Sequence, residues 1–107
     1  DLLILTKALK DVMTYQVLGF TAIAPQSEAI LLNKETMDEL TSRFKRVIVN
    51  FDNDPLGELS MRRYNETYGL EYFSVPEIKK VKDVSDYCKF YKEEVKQFIK
   101  EQIESKE

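Results

Sequence analysis

Apolar positions along the chain fall into short runs separated by stretches with helical spacing. Leu2-Leu3-Ile4-Leu5-Thr6 is a continuous apolar run, the pattern of a strand covered on both faces. From Lys7 to Leu18 the period changes. Leu9, Val12, Met13, Gln16 and Val17 follow helical spacing and predict an inward face, with Gly19 at the C′ position. Phe20 to Ala24 reads as a second strand, stopped by Pro25. Between Gln26 and Asn33 the pattern weakens, and Ile30-Leu31-Leu32 fits either a short strand or a buried loop. Asn33 caps a helix over Lys34 to Phe44, with Met37, Leu40 and Phe44 facing inward.

Arg46 to Phe51 is the third strand. Asp54-Pro55 then reads as an N-cap followed by the first helical residue. The helix it opens presents Gly57, Met61, Tyr64 and Tyr68 on one face, places Arg62 and Arg63 at the edge of that face, and ends at Gly69. Leu70 to Val75 is a fourth strand, closed by Pro76. A lysine-rich connector, Ile78-Lys79-Lys80-Val81-Lys82, reads as an exposed charged loop and leads to Asp83, which caps a long final helix. Val84, Tyr87, Tyr91, Val95, Phe98, Ile99 and Ile103 form its apolar stripe. The order is β-α-β-α-β-α-β-α. Buried strands alternating with amphipathic helices predict an α/β fold: a mostly parallel four-stranded, Rossmann-like sheet with helices on both faces and right-handed crossovers.

With 107 residues the chain has room for one domain with a single core. No apolar run approaches the roughly 20 residues of a membrane span. The first residue is Asp1, and Leu2 to Leu5 already reads as a core strand, so the expectation is a single domain, residues 1–107, excised from a longer polypeptide. The absence of histidine removes Ser-His-Asp and Cys-His catalysis and every histidine-containing metal site. A single cysteine, Cys88, excludes an intramolecular disulfide and a Cys-rich zinc site, and fits a reducing, cytoplasmic setting. A net charge of -3 argues against a generally basic nucleic-acid-binding surface. The chemistry left is that of carboxylates, lysine, arginine, tyrosine and hydroxyls.

One segment concentrates that chemistry. The apolar run Val47-Ile48-Val49-Asn50-Phe51 ends abruptly in Asp52-Asn53-Asp54, with Pro55 and Gly57 following. Side chains alternate along a strand, so Asp52 and Asp54 point the same way if strand geometry persists. Two carboxylates at the carboxyl end of a buried strand stand where open α/β sheets place their ligands. They are hard oxygen donors suited to Mg²⁺, with Mn²⁺ as an alternative.

The order of Thr6-Lys7-Ala8-Leu9-Lys10-Asp11, Gly19-Phe20-Thr21-Ala22-Ile23-Ala24-Pro25, Phe51-Asp52-Asn53-Asp54-Pro55-Leu56-Gly57 and Lys82-Asp83-Val84-Ser85-Asp86-Tyr87 resembles the Toprim domain of phage-type and bacterial DNA primases. The resemblance runs from Leu2 to about Tyr91. It implies a metal-dependent phosphoryl- or nucleotidyl-transfer module active in DNA replication. Asp52 and Asp54 would be the metal-facing, catalytic carboxylates and Mg²⁺ the cofactor. Nucleic acid and nucleotides would be engaged through flanking domains, with a helicase or zinc-binding primase segment in the same or a partner chain, and no membrane.

One departure matters: the family's glutamate-glycine after the first strand aligns here with Lys7-Ala8, so a cation replaces an acid. Lys7 is then a catalytic or phosphate-binding candidate together with Lys10. Asp11, Asp83 and Asp86 are accessory acidic candidates. Alternatives within the resemblance are a Toprim nuclease or topoisomerase-type domain, and a catalytically degenerate interaction module. A phosphoacceptor receiver domain also ends its third strand in an aspartate, but would want an acidic pair where Thr6-Lys7 stands.

Overall fold

The structure, a computed structural model, describes residues 1–25 and 31–106. Four strands, β1 (Leu2–Thr6), β2 (Thr21–Ile23), β3 (Arg46–Asn50) and β4 (Glu71–Tyr72), alternate with four helices, α1 (Leu9–Val17), α2 (Lys34–Arg43), α3 (Pro55–Tyr68) and α4 (Val84–Ser105). The strands form one sheet in the order β2-β1-β3-β4, and every pairing is parallel. The central pair β1/β3 is in register from Leu2↔Arg46 to Thr6↔Asn50. An α/β fold with an all-parallel, Rossmann-like sheet is therefore observed.

Alternation along the strands divides the interior into two layers. Ile4, Ala22 and Ile48 face a cluster that includes Val12 and Tyr15 of α1 and Val84, Tyr87, Val95 and Ile99 of α4. Leu3, Leu5, Val47 and Val49 face Met37 of α2 and Met61 and Tyr64 of α3. Helices thus cover both faces, as continuous apolar strands require. The end signals act as read: Asn33 accepts from the Thr36 N–H at 2.8 Å, Asp54 caps α3, Asp83 caps α4, and Gly69 closes α3 in the left-handed region at φ 72°. Gly19, at φ 95°, follows the α1 C-cap residue Leu18.

Three expectations change. The inward face of α1 is not Leu9, Met13 and Val17, which are 71%, 57% and 83% exposed; it is Asp11, Val12 and Tyr15. The rotation follows from two polar demands, since Asp11 turns into an acidic cluster and the Tyr15 hydroxyl donates to Asn50 Oδ1 inside the core. The fourth strand is shorter than Leu70–Val75. After the Phe73 N–H bonds to Val49 O at 3.1 Å, the Asn50 side chain takes the Phe73 carbonyl at 2.9 Å in place of a backbone donor. Arg62 and Arg63 are exposed rather than at the edge of a buried face. The Ile30-Leu31-Leu32 reading lies partly outside the described residues, and Leu31 and Leu32 form neither strand nor helix. Within α4 the helix breaks at Tyr91 (φ -135°, ψ 37°), and its apolar stripe packs as expected on both sides of the break.

Candidate metal centre

β1 and β3 are neighbours, but the helices that follow them leave toward opposite faces, α1 to one and α3 to the other. This is the point where parallel α/β sheets open a crevice at their carboxyl ends. Lys7 follows β1 there, and Asp52 lies two residues beyond β3.

Three acidic side chains meet in this crevice. Asp52 and Asp11 are fully buried and Asp83 nearly so, and one carboxylate oxygen from each lies within 4.8 Å of the others. Asp11 comes from the first turn of α1, and Asp83 is the N-cap of α4. Asp52 Oδ2 accepts from Lys7 Nζ at 2.8 Å and has Lys82 Nζ at 3.6 Å. Asp83 Oδ2 accepts from Lys10 Nζ at 2.9 Å, while its Oδ1 caps the Asp86 N–H at 2.9 Å. Asp11 Oδ1 accepts from the Ser85 hydroxyl at 2.6 Å, and Ser85 is within 3.1 Å of the Thr14 hydroxyl. Asp11 Oδ2 and Asp52 Oδ1 are buried without a hydrogen-bond partner.

The electrostatics follow from this packing. Burial raises the pKa of the Asp11 carboxyl above its usual value; the Ser85 hydrogen bond opposes the rise, the negative charge of Asp83 adds to it, Lys10 opposes and Asp52 adds. The Lys10 ammonium is held above its usual value, chiefly by its hydrogen bond to Asp83. Lys7, Lys10 and Lys82 set three positive charges against the three carboxylates.

The chain folds this way at Asp52 because Gly57 permits it. A Cβ at Gly57 would stand 2.1 Å from the Asp52 carbonyl oxygen and 2.9 Å from its carbon, so the first turn of α3 lies directly on the Asp52 peptide. The spacing Asp52-Asn53-Asp54-Pro55-Leu56-Gly57 therefore has a steric cause: cap, helix start and close approach in one turn.

Asp54 is placed differently from Asp52. β3 ends at Asn50, so strand alternation does not extend to the two aspartates. Asp54 Oδ1 accepts from the Gly57 N–H at 2.8 Å and caps α3, Oδ2 is 3.9 Å from Lys82 Nζ, and the residue is not one of the clustered three. Asp86 also stands apart, its Oδ2 accepting from the Lys82 N–H at 3.1 Å. Asp11 and Asp83, read as accessory, are members of the cluster itself. Asn53 and Ser85 carried no sequence signal beyond their place inside the acidic segments.

A buried carboxylate oxygen without a donor is costly unless a cation or proton meets it. Two such oxygens beside a third carboxylate form an all-oxygen donor set close enough to hold a metal ion. Lys7 occupies the other oxygen of Asp52, so the ammonium and a divalent ion would share that carboxylate rather than a single position. Scans against protein-family models, curated proteins and solved structures return no match. The fold and the site thus define an α/β domain with an acidic cluster at the switch point of a parallel sheet.

Proposed function

We propose that this chain is a Toprim-like phosphoryl- or nucleotidyl-transfer module of the DNA-primase type, serving DNA replication. The observation that carries the reading is the convergence of Asp52, Asp11 and Asp83 at the β1/β3 switch point with two buried oxygens left open. These three residues would hold a divalent cation, Mg²⁺ or Mn²⁺. Such an ion supplies charge for phosphate oxygens and lowers the pKa of an attacking hydroxyl. The chain's own residues position and compensate. Lys7, with its side chain 33% exposed, stands between Asp52 and solvent, where it can meet a phosphate without leaving the carboxylate. Lys82, flanked by Asp52 and Asp54, supplies a second cation at the same mouth. Beside Lys7 a shallow, mostly apolar groove of about 590 Å³, formed by Leu9, Val12, Ala22, Ile23 and Pro25, leaves room for the nucleoside part of a substrate. Template recognition, and a helicase or zinc-binding primase segment, would belong to regions beyond this domain.

A second reading is favoured by the 2.8 Å Lys7–Asp52 contact. An ammonium bound where an acid would ligate suits an interaction module whose carboxylates are balanced by lysines alone. Titration of the ¹⁵N-labelled protein with Mg²⁺ and Mn²⁺ separates the two. The enzymatic reading expects saturable shifts and Mn²⁺ broadening at Asp11, Asp52 and Asp83, lost in Asp52→Asn with the fold intact. Spectra insensitive to both ions, or equal ion affinity in Asp52→Asn, would remove the metal assignment and leave the interaction module.

A further inference from the structure

The acidic cluster draws on three distant parts of the chain, and one of them, the stretch between β4 and α4, has no regular structure of its own from Phe73 to Asp83. That stretch delivers Lys82 and Asp83 to the site. Its internal backbone bonds are local: Ile78 N–H to Pro76 O at 2.9 Å, and Val81 N–H to Ile78 O at 2.9 Å around Lys80, a non-glycine residue at φ 70°. Val75 and Val81 sink into the core and hold it down. Apolar burial is non-directional, so it does not set where the polar ends of the loop land.

Asn53 supplies the direction. Its backbone N–H donates to Lys82 O at 2.8 Å, and its side-chain Nδ2 donates to Val81 O at 2.9 Å and Pro76 O at 3.2 Å. Three bonds from one residue span the loop at both ends. Two of the three acceptors are the carbonyls immediately before Lys82 and Asp83. Asn53 sits between Asp52 and Asp54, so it is fixed by the same β3–α3 turn that presents Asp52.

We infer that Asn53 is a positioning residue: it clamps the loop 76–82 onto the Asp52 turn and thereby sets Lys82 and Asp83 against the Asp52 carboxylate. Asparagine suits the place because its amide offers two donors to two carbonyls. Aspartate, of the same shape, would turn acceptors onto acceptors. Where it concerns cation binding the inference rests on the metal reading; where it concerns the placement of Lys82 and Asp83 it does not.

The test compares the wild type with Asn53→Ala, first without divalent ions. Side-chain carboxyl ¹³C resonances of Asp52 and Asp83 report the lysines and N–H groups around them, and a residue that merely supported the fold would leave them unmoved once folding is retained. Both resonances are expected to shift, and Lys82 amide exchange to accelerate on the order of tenfold through the loss of two side-chain hydrogen bonds. Coincident carboxyl resonances in the two proteins overturn the inference. Asn53→Ser, which keeps a single short donor, gives the same readout in milder form should the alanine variant not fold, and its coincidence with the wild type is equally decisive. Titration with Mg²⁺ alone is the second arm. Loss of a group that orients a ligand costs roughly 10- to 100-fold in affinity, and that loss is expected in Asn53→Ala. A wild type that ignores Mg²⁺ removes the metal reading, while the ion-free resonances still decide the role of Asn53.

Discussion

The α1/α4 layer and the α2/α3 layer cover opposite faces of one sheet, yet their polar contents differ. Under α2 and α3 the phenols of buried Tyr64 and half-buried Tyr68 close on backbone: Tyr64 OH accepts from the Leu32 N–H at 3.0 Å and Tyr68 OH donates to Leu32 O at 2.6 Å. On the α1/α4 side the helices bring in Asp11 and Asp83, and two carboxylate oxygens at the crevice stay unmatched. Among the described residues, no buried side-chain polar atom of the first layer is left without a partner. The second is left open at one place, where the three carboxylates gather. A fold that satisfies its buried polar groups on one face and leaves them wanting on the other places the candidate metal centre on the second face.

The largest effect is expected where the α2/α3 layer touches the acidic cluster. Gly57 belongs to α3, but its missing Cβ is what lets Asp52 sit where it does. Gly57→Ala should cost about 3 kcal/mol, the upper end of overpacking penalties, because the obstructing atoms are backbone and do not yield. Urea denaturation checks this; a loss below about 1 kcal/mol would mean that the turn relaxes freely and the two layers are not coupled there.

Paired tyrosine variants sharpen the contrast next. Tyr15→Phe strips the donor from the fully buried Asn50 Oδ1 and should cost about 2 kcal/mol. Tyr64→Phe removes an acceptor from a partly buried backbone N–H and should cost about 1 kcal/mol. Equal losses by thermal or chemical denaturation would erase the claimed asymmetry.

The smallest effect is a gain. Burial raises the Asp11 pKa in the folded chain above its ordinary 3.8, so the folded state holds a proton that the unfolded state releases. This contribution to stability is full below pH 3.8 and is lost as pH rises through the raised value. Asp11→Asn removes that loss and should stabilise the ion-free protein at pH 7, with a shallower decline in thermal midpoint from pH 4 to 7. An unchanged pH profile would show that Asp11 is not held at a cost.

These layers also differ in how far the sequence reveals them. In α3 nothing but packing and caps decides the face, and Gly57, Met61, Tyr64 and Tyr68 emerge from spacing alone. In α1 hydrophobicity points outward, to Leu9, Met13 and Val17, because a site outside the helix claims Asp11 and a core asparagine claims Tyr15. Periodicity measures apolar preference and has no term for a carboxylate wanted inside. Asp52 was legible because it ends an apolar run. Asp83 was legible as a cap and, through the resemblance, as an accessory acid, but its place beside Asp52 depends on a loop whose path no local pattern encodes. The paired direction of Asp52 and Asp54 failed for a local reason: the strand stops at Asn50 and the intervening turn re-aims the second aspartate.

Parallel pairing has a kinetic consequence during synthesis. The Lys7–Asp52 contact joins residues 45 apart, and the Ser85–Asp11 bond spans 74. Long-range closures of this kind are slow to form and gain nothing until their far partner has been made. A nascent chain that has emerged only as far as the turn after β3 contains Asp11 and Asp52 but lacks the loop and helix start that bring Asp83 and Ser85. The acidic corner is therefore completed last, after translation has passed Ser85, and a chain stalled earlier would lack both Asp83 and the Ser85 bond to Asp11.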